Sequence, residues 1–322
     1  FMLAYKNWSA LEITTSLGCI VALFMYQMPI RTGLSVRELL KEGGNQGLLS
    51  DTENNPMQMY FDFTNNPASA SSALSKACVS RDLTILSNFF LDLILLRETE
   101  SAARATLHRE ELDSLDGVNR LVKIASLIQN ESVEIACGLR LSELESDLSK
   151  QEEEAEQLSE FRVIRDSANS NLEALVKLIV EDRQSTALSS IRKAASSLGG
   201  LTKDGPRRSH ALLAGTMAAP TTWKYSMSEP MLLTLVNLCF LDNNGNKPVS
   251  PALEIRVLLD RLERRFGILI HKVPSGLESP EAKQAASDNF AHFIARLKTL
   301  GYFKGLSDDF SAQFIERPEA GN

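Results

Sequence analysis

Six cationic side chains toward the C-terminus have the types and spacing best suited to chemical contact. They are Arg261, Arg264, Arg265, Arg296, Lys298 and Lys304. Arg261, Arg264 and Arg265 stand three and four positions apart, so a helix carries them on one side, opposite Leu258, Leu262 and Phe266. Such a group suits contact with phosphates or with an acidic protein surface. Read as a DNA contact, it needs a groove-reading helix that brings Arg296 and Lys298 alongside, and a wing that presents Lys304 to the backbone. The local charge argues against strong DNA binding. From Pro251 to Asn322 ten Lys and Arg face ten Asp and Glu, and Asp308-Asp309 at the expected wing tip repels phosphate. Protein contact is therefore the first expectation, and DNA contact the alternative.

Other candidate chemistry is weaker. Gly43-Gly44-Asn45-Gln46-Gly47 has the glycine content of a phosphate cradle, yet Leu48-Leu49 stand where a lysine and a hydroxyl residue are required. Asp242-Asn243-Asn244-Gly245-Asn246 starts like a calcium loop, but its glycine comes too early and Leu253 takes the place of the closing glutamate. His108, His210, His271 and His292 lack a His or Cys neighbour at ligand spacing. No Gly-x-Ser-x-Gly elbow occurs. The expectation is a protein without metal, cofactor, small-molecule substrate or catalytic site. A third reading, an enzyme, places its site in the loop Gly43–Pro67.

The elements that would position the cationic group read most clearly from Ser228 to Pro318. Ser228-Glu229-Pro230 opens a helix over Met231–Leu241. Ser250-Pro251 opens a second over Ala252–Phe266, with Ser250 as cap and Pro251 where no amide is needed. Ile255, Leu258, Leu259, Leu262 and Phe266 share its inner face, and Gly267 stops it. Ile268-Leu269-Ile270 reads as a short strand. A third helix over Ala286–Leu300 ends at Gly301, and Tyr302-Phe303 and Phe314-Ile315 flank a polar turn like two strands of a wing. Helix, helix, helix, hairpin is the order of a winged-helix module.

Upstream the pattern is helical. Ser9 and Glu12 form a capping box for an apolar helix to about Met28, and Ser35–Glu38 repeats the box for a short helix. Gly43–Pro67 reads as a loop holding an apolar island, Met57–Phe63. Helices follow over Ala68–Val79, Asp82–Arg104, Val118–Asn130 and Glu131–Gly138. From Leu139 to Phe161 apolar residues step by seven on an acidic helix, and Leu172–Val180 and Thr186–Leu198 add two more. The expected fold is mainly α: a helical domain over 1–138, an acidic helical hairpin or short coiled coil over 139–198, a linker over 199–222, and a winged-helix-like domain over 223–322.

The 322 residues are 43% hydrophobic and 23% charged with a net charge of −7, which fits a globular protein and not a general polyanion binder. Cys19, Cys78, Cys137 and Cys239 are far apart and suit reduced thiols in a cytoplasmic protein. The apolar run Leu17–Met28 is shorter than the about 20 residues a bilayer span needs, so no membrane partner is expected.

Two strings, Leu258–Gly267 (LLDRLERRFG) and Leu300–Phe314 (LGYFKGLSDDFSAQF), resemble the C-terminal ends of large helical accessory proteins from bacterial phage-defence and DNA-restriction clusters. The resemblance spans about a quarter of the chain and transfers no site residues. It implies a non-catalytic complex subunit working beside an ATPase, helicase or nuclease. The expectation is thus a cytoplasmic scaffold that docks a protein partner, and the alternative is a winged-helix DNA-binding regulator or sensor.

Overall fold

Ser9 and Glu12 close the expected capping box at the first helix. The Ser9 amide donates to Glu12 Oε2 at 2.7 Å and the Glu12 amide donates to Ser9 Oγ at 3.2 Å. The structure, a computed structural model, describes residues 8–41, 55–150, 155–203, 205–241, 252–303 and 314–317. It is mainly helical, as expected. Helix α1 spans Ala10–Lys41 and runs through Pro29 and Gly33, so the two helices expected there are one. A helix-interior proline costs about 3 kcal/mol. Cys19, Leu23, Tyr26, Ile30, Val36 and Leu39 are all buried along α1, and at about 1.5–3 kcal/mol each their burial outweighs that cost. Among the described residues α1 is the helix long and apolar enough to cross a membrane, with a third of its most apolar window buried.

Continuity recurs further on. Helix α2 spans Ala70–Arg104 without the expected break. After α3 (Arg109–Ser114), α4 (Gly117–Ser126), α5 (Glu131–Ser149) and α6 (Ala155–Ser167), helix α7 runs unbroken over Asn171–Leu198. The chain forms two compact units, one from residues 1–31, 52–84 and 192–322, the other from 32–51 and 85–191. Three of the four dividing points fall inside α1, α2 and α7. Composition changes at loops rather than inside helices, and the expected borders at 138, 198 and 222 do not coincide with these units.

In the unit containing 85–191, Leu39, Ala103, Leu112, Val133, Cys137, Leu141, Leu172 and Leu175 share one core. Asn130 caps α5 by accepting from the Ser132 amide at 2.9 Å. The Glu134 carboxylate accepts from the backbone amides of Asn171 and Leu172 and so fixes the start of α7. The expected acidic helix Leu139–Phe161 is two helices that form a hairpin. Glu145 of α5 meets Arg162 (2.8 Å) and Arg165 of α6, so part of the acidic face is neutralised by the chain itself.

The other unit contains the three C-terminal helices α8 (Glu229–Cys239), α9 (Ile255–Phe266) and α10 (Pro280–Thr299) and three two-stranded ribbons. Strand β1, Met59–Tyr60, lies in the apolar island expected as part of a loop. It pairs in parallel with β5, Ile268–Leu269, in the register Met59 to Ile268. Met57, Met59, Tyr60 and Phe61 are buried, because the island supplies core rather than surface. The stretch 199–222, expected as a linker, is packed into this unit. Leu201, Ala211, Leu212 and Leu213 are buried, and β2 (Leu213–Ala214) pairs antiparallel with β3 (Lys224–Tyr225). Gly200, at φ +79°, makes the turn possible: a Cβ there would lie 2.6 Å from Ala211 Cα.

Helix α9 starts at Ile255, because Ala252–Glu254 forms β4 and pairs antiparallel with β6, Phe314–Glu316. The cap expected at Ser250 lies outside the described residues, and Glu254 occupies the N-cap position without a side-chain bond. Ser228 caps α8 as expected, and Ser279 caps α10, which begins at Pro280 rather than Ala286. Gly267 and Gly301 end their helices at φ +64° and +80°. The expected wing turn at Ser307–Asp309 lies outside the described residues. Among those described, Phe314–Glu316 pairs with β4, and the Glu316 amide donates to Tyr302 O at 2.8 Å.

Candidate functional site

Helix spacing places Arg261, Arg264 and Arg265 near one another, but their side chains go to different partners. Arg261 donates to Cys239 O and to Leu241 O (3.2 Å), and Arg265 donates to Leu238 O (3.2 Å) and Leu241 O (3.3 Å). These carbonyls lie at the C-terminal end of α8, where backbone acceptors have no intrahelical donor and a positive charge is favoured. Two of the three arginines therefore complete the fold of the C-terminal helices. Arg264 pairs with Asp260 at 2.9 Å on an exposed side of α9. Arg296 pairs with Glu229 at the start of α8, and Lys298 Nζ lies 5.6 Å from the Phe303 ring centroid. Lys304 lies outside the described residues. The same holds for the glycine loop 43–47 and for the turn 242–246. Among the described residues no three His, Cys, Asp or Glu side chains group as metal ligands.

A second polar cluster, which sequence reasoning missed, surrounds β1. Asp62 is buried at its C-terminal edge. Its Oδ1 accepts from the Thr64 amide (3.1 Å), Thr64 Oγ1 (2.8 Å) and Ser71 Oγ (2.8 Å), and its Oδ2 accepts from Lys224 Nζ at 2.6 Å. Burial pushes this carboxyl up, but the bonds from Lys224, Thr64 and Ser71 outweigh it and hold Asp62 below its ordinary value. Asp82 shows the opposite balance. Its Oδ2 accepts from Tyr225 OH at 2.6 Å and its Oδ1 from Arg81 Nε at 2.9 Å, yet burial prevails and the carboxyl is raised. The Tyr26 and Tyr225 hydroxyls are 3.3 Å apart, and Ser75 Oγ donates to the carbonyls of Tyr60 (2.9 Å) and Tyr225 (3.0 Å). Asn289 of α10 donates to Phe61 O (2.8 Å) and Ile270 O (3.0 Å) and accepts from the Phe63 amide at 2.7 Å.

The geometry of this cluster is that of a clamp. Both oxygens of each carboxylate accept from donors of the same unit, and with the Asn289 bonds they fasten β1 and the residues after it to α2, β3 and α10. The signal that could have found it is an aspartate inside an apolar island, followed by Ser71 and Ser75 one helical turn apart. All four cysteines are buried. Burial pushes the thiols of Cys78 and Cys239 up to about 12 and that of Cys137 up to about 11.

The described residues thus define a mainly helical protein in which the buried carboxylates Asp62 and Asp82 face donors of the chain itself. Residues 18–318 match the family model described as methylation-associated defense system protein MAD7, and the chain belongs to that family. It is a defence-system protein, in line with the phage-defence resemblance of its C-terminal strings. No curated protein and no solved structure matches the chain.

Proposed function

We propose that the chain is a non-catalytic, cytoplasmic interaction subunit of its defence system, whose C-terminal helices dock an ATPase or nuclease that performs the chemistry. The observation that carries this reading is the engagement of the cationic group. Arg261 and Arg265 are turned onto α8 carbonyls, and Arg264 and Arg296 each hold a carboxylate. A surface neutralised in this way attracts phosphate weakly, whereas mixed charge suits a protein partner. The order α8, β4, α9, β5, α10, β6, with β4 paired to β6, supports a winged-helix-like module used for that contact. The intramolecular donors on both oxygens of Asp62 and Asp82 support a structural role for the buried carboxylates. One observation favours the second reading, a DNA-binding regulator or sensor: the Arg264 side chain is 67% exposed and exchangeable from Asp260 to a phosphate.

The test is purification of the tagged chain from its host at two salt concentrations, with and without nuclease. Co-purification of an ATPase or nuclease in fixed ratio that survives nuclease treatment supports the docking reading. Recovery of nucleic acid alone, released by moderate salt and lost with Arg264→Ala, replaces it with the DNA-binding reading.

A further inference from the structure

We propose that the C-terminal end of α7 and the loop that follows it hold the phosphate backbone of a duplex nucleic acid, without reading its sequence. From Arg192 to Ser228 the sequence has six Lys and Arg against one carboxylate, Asp204, in a chain whose net charge is −7. Arg192, Lys193, Lys203 and Arg208 are exposed and belong to one unit. Backbone bonds gather them. The Leu201 amide donates to Ser196 O at 3.0 Å, the Arg208 amide to Gly200 O at 3.1 Å and the Leu212 amide to Gly199 O at 3.0 Å. The loop thus leaves α7 and returns to the same helix end. Arg192 and Lys193 stand about 10 Å before that end. Arg207 fastens the loop by donating to the carbonyls of Leu213 and Ser226.

Charge and composition select the occupant. Arg261 and Arg265 of α9 are engaged by carbonyls and Arg264 by Asp260, whereas among the described residues no ion pair takes up any of these four cations. Ser228 Oγ donates to Ser209 O and brings the start of α8 beside the loop, but the carboxylate there, Glu229, is held by Arg296. Burial and then the Arg208 guanidinium lower the pKa of His210 on the same loop, as expected beside positive charge. Apart from the cations, the exposed residues described from Arg192 to Ser209 are Ala194, Ser197, Gly205, Pro206 and Ser209. They are small enough for a phosphate backbone to come close. They lack the aromatic or large apolar anchors of a protein interface or of a membrane-inserting face. They also lack the ring faces on which unpaired bases stack. A duplex, stacked internally and regularly charged outside, needs only unengaged cations. This surface shares no residue with the C-terminal helices on which the proposed function rests, so either reading can fail alone.

Fluorescence anisotropy of labelled oligonucleotides with the full chain tests the proposal. Two duplex DNAs of unrelated sequence should bind equally, and a single strand more weakly. Four phosphate contacts give a salt slope of about −3.6 on logarithmic axes, so affinity should fall about 100-fold between about 50 and 200 mM salt. Lys193→Ala combined with Arg208→Ala should weaken low-salt binding at least about 10-fold and reduce the slope by about 2. Thermal unfolding of this variant should match that of the unaltered protein, because both side chains are exposed. If it does not, Lys203→Ala alone decides, with a slope smaller by about 1. Duplex RNA in the same titration separates the two sources of the backbone, and tighter binding of either duplex supports the proposal for that duplex. No binding at low salt, an unchanged slope in the variants, or tighter binding of the single strand overturns the proposal. So does binding lost with Arg264→Ala but kept in the variants of the loop, which moves the contact to α9. Equal competition by polyglutamate also overturns it and assigns the loop to an acidic protein.

Discussion

Lys224 and Asp62 show how a buried ion pair is made tolerable. The lysine side chain is 12% exposed and the aspartate side chain is fully enclosed, but the carboxylate also receives three further donors. Removing one member of such a pair leaves the other charged and buried. Lys224→Met is therefore expected to lower unfolding stability by about 3 kcal/mol in urea titration. Because the folded carboxyl of Asp62 is held below its ordinary value, its contribution is complete above about pH 4, the unfolded value, and disappears as pH falls through the lower folded value. Asp62→Asn should flatten the acid limb of a stability-against-pH curve. Asp82 acts with the opposite sign: its raised folded pKa makes the native state bind the extra proton, so its contribution declines as pH rises from about 4 through the folded value. The arginines separate in the same way. Arg265→Ala leaves α8 carbonyls without their donor and should cost about 1–3 kcal/mol, whereas Arg264→Ala removes an exposed pair and should cost about 0.5 kcal/mol or less. Equal effects in thermal unfolding would refute this division between fold and surface.

At the scale of elements, the caps were legible where their signal is local. Ser9 with Glu12, Ser228, Gly267 and Gly301 all act as the sequence implies, since each needs only its own neighbours. Gly267 carries a second constraint that sequence does not show: a Cβ there would stand 2.5 Å from Met57 Cβ. Gly267→Ala should thus cost clearly more than Gly276→Ala. Gly276 also has a positive φ, but nothing lies within 4 Å, so only about 1 kcal/mol of strain applies. Differential scanning calorimetry of the two variants makes the comparison. Helix continuity was not legible. An end at about Met28 and a new start at the Ser35–Glu38 box were expected, but burial on both sides of Pro29 keeps the helix continuous. The start of α9 was misplaced for a similar reason: Ser250-Pro251 is a good local opening, but Ala252–Glu254 is drawn into pairing with Phe314–Glu316, far along the chain. The clamp at β1 depends on Lys224, Tyr225 and Asn289, all remote in sequence from Met57–Phe63, and no local spacing encodes such a meeting.

Across the whole molecule, the two units take their residues from alternating stretches of chain, which is why borders drawn at composition shifts did not find them. The thiols make that arrangement measurable. Cys19, Cys78 and Cys239 belong to one unit and Cys137 to the other, each buried beneath apolar neighbours. A thiol reacts with an alkylating reagent only when it is exposed and deprotonated, and these meet neither condition in the native state. Each cysteine is consequently a native-sequence clock for the opening of its own surroundings. Mass-resolved labelling over time, without any engineered probe, would show whether Cys137 becomes accessible in step with the other three or on a schedule of its own.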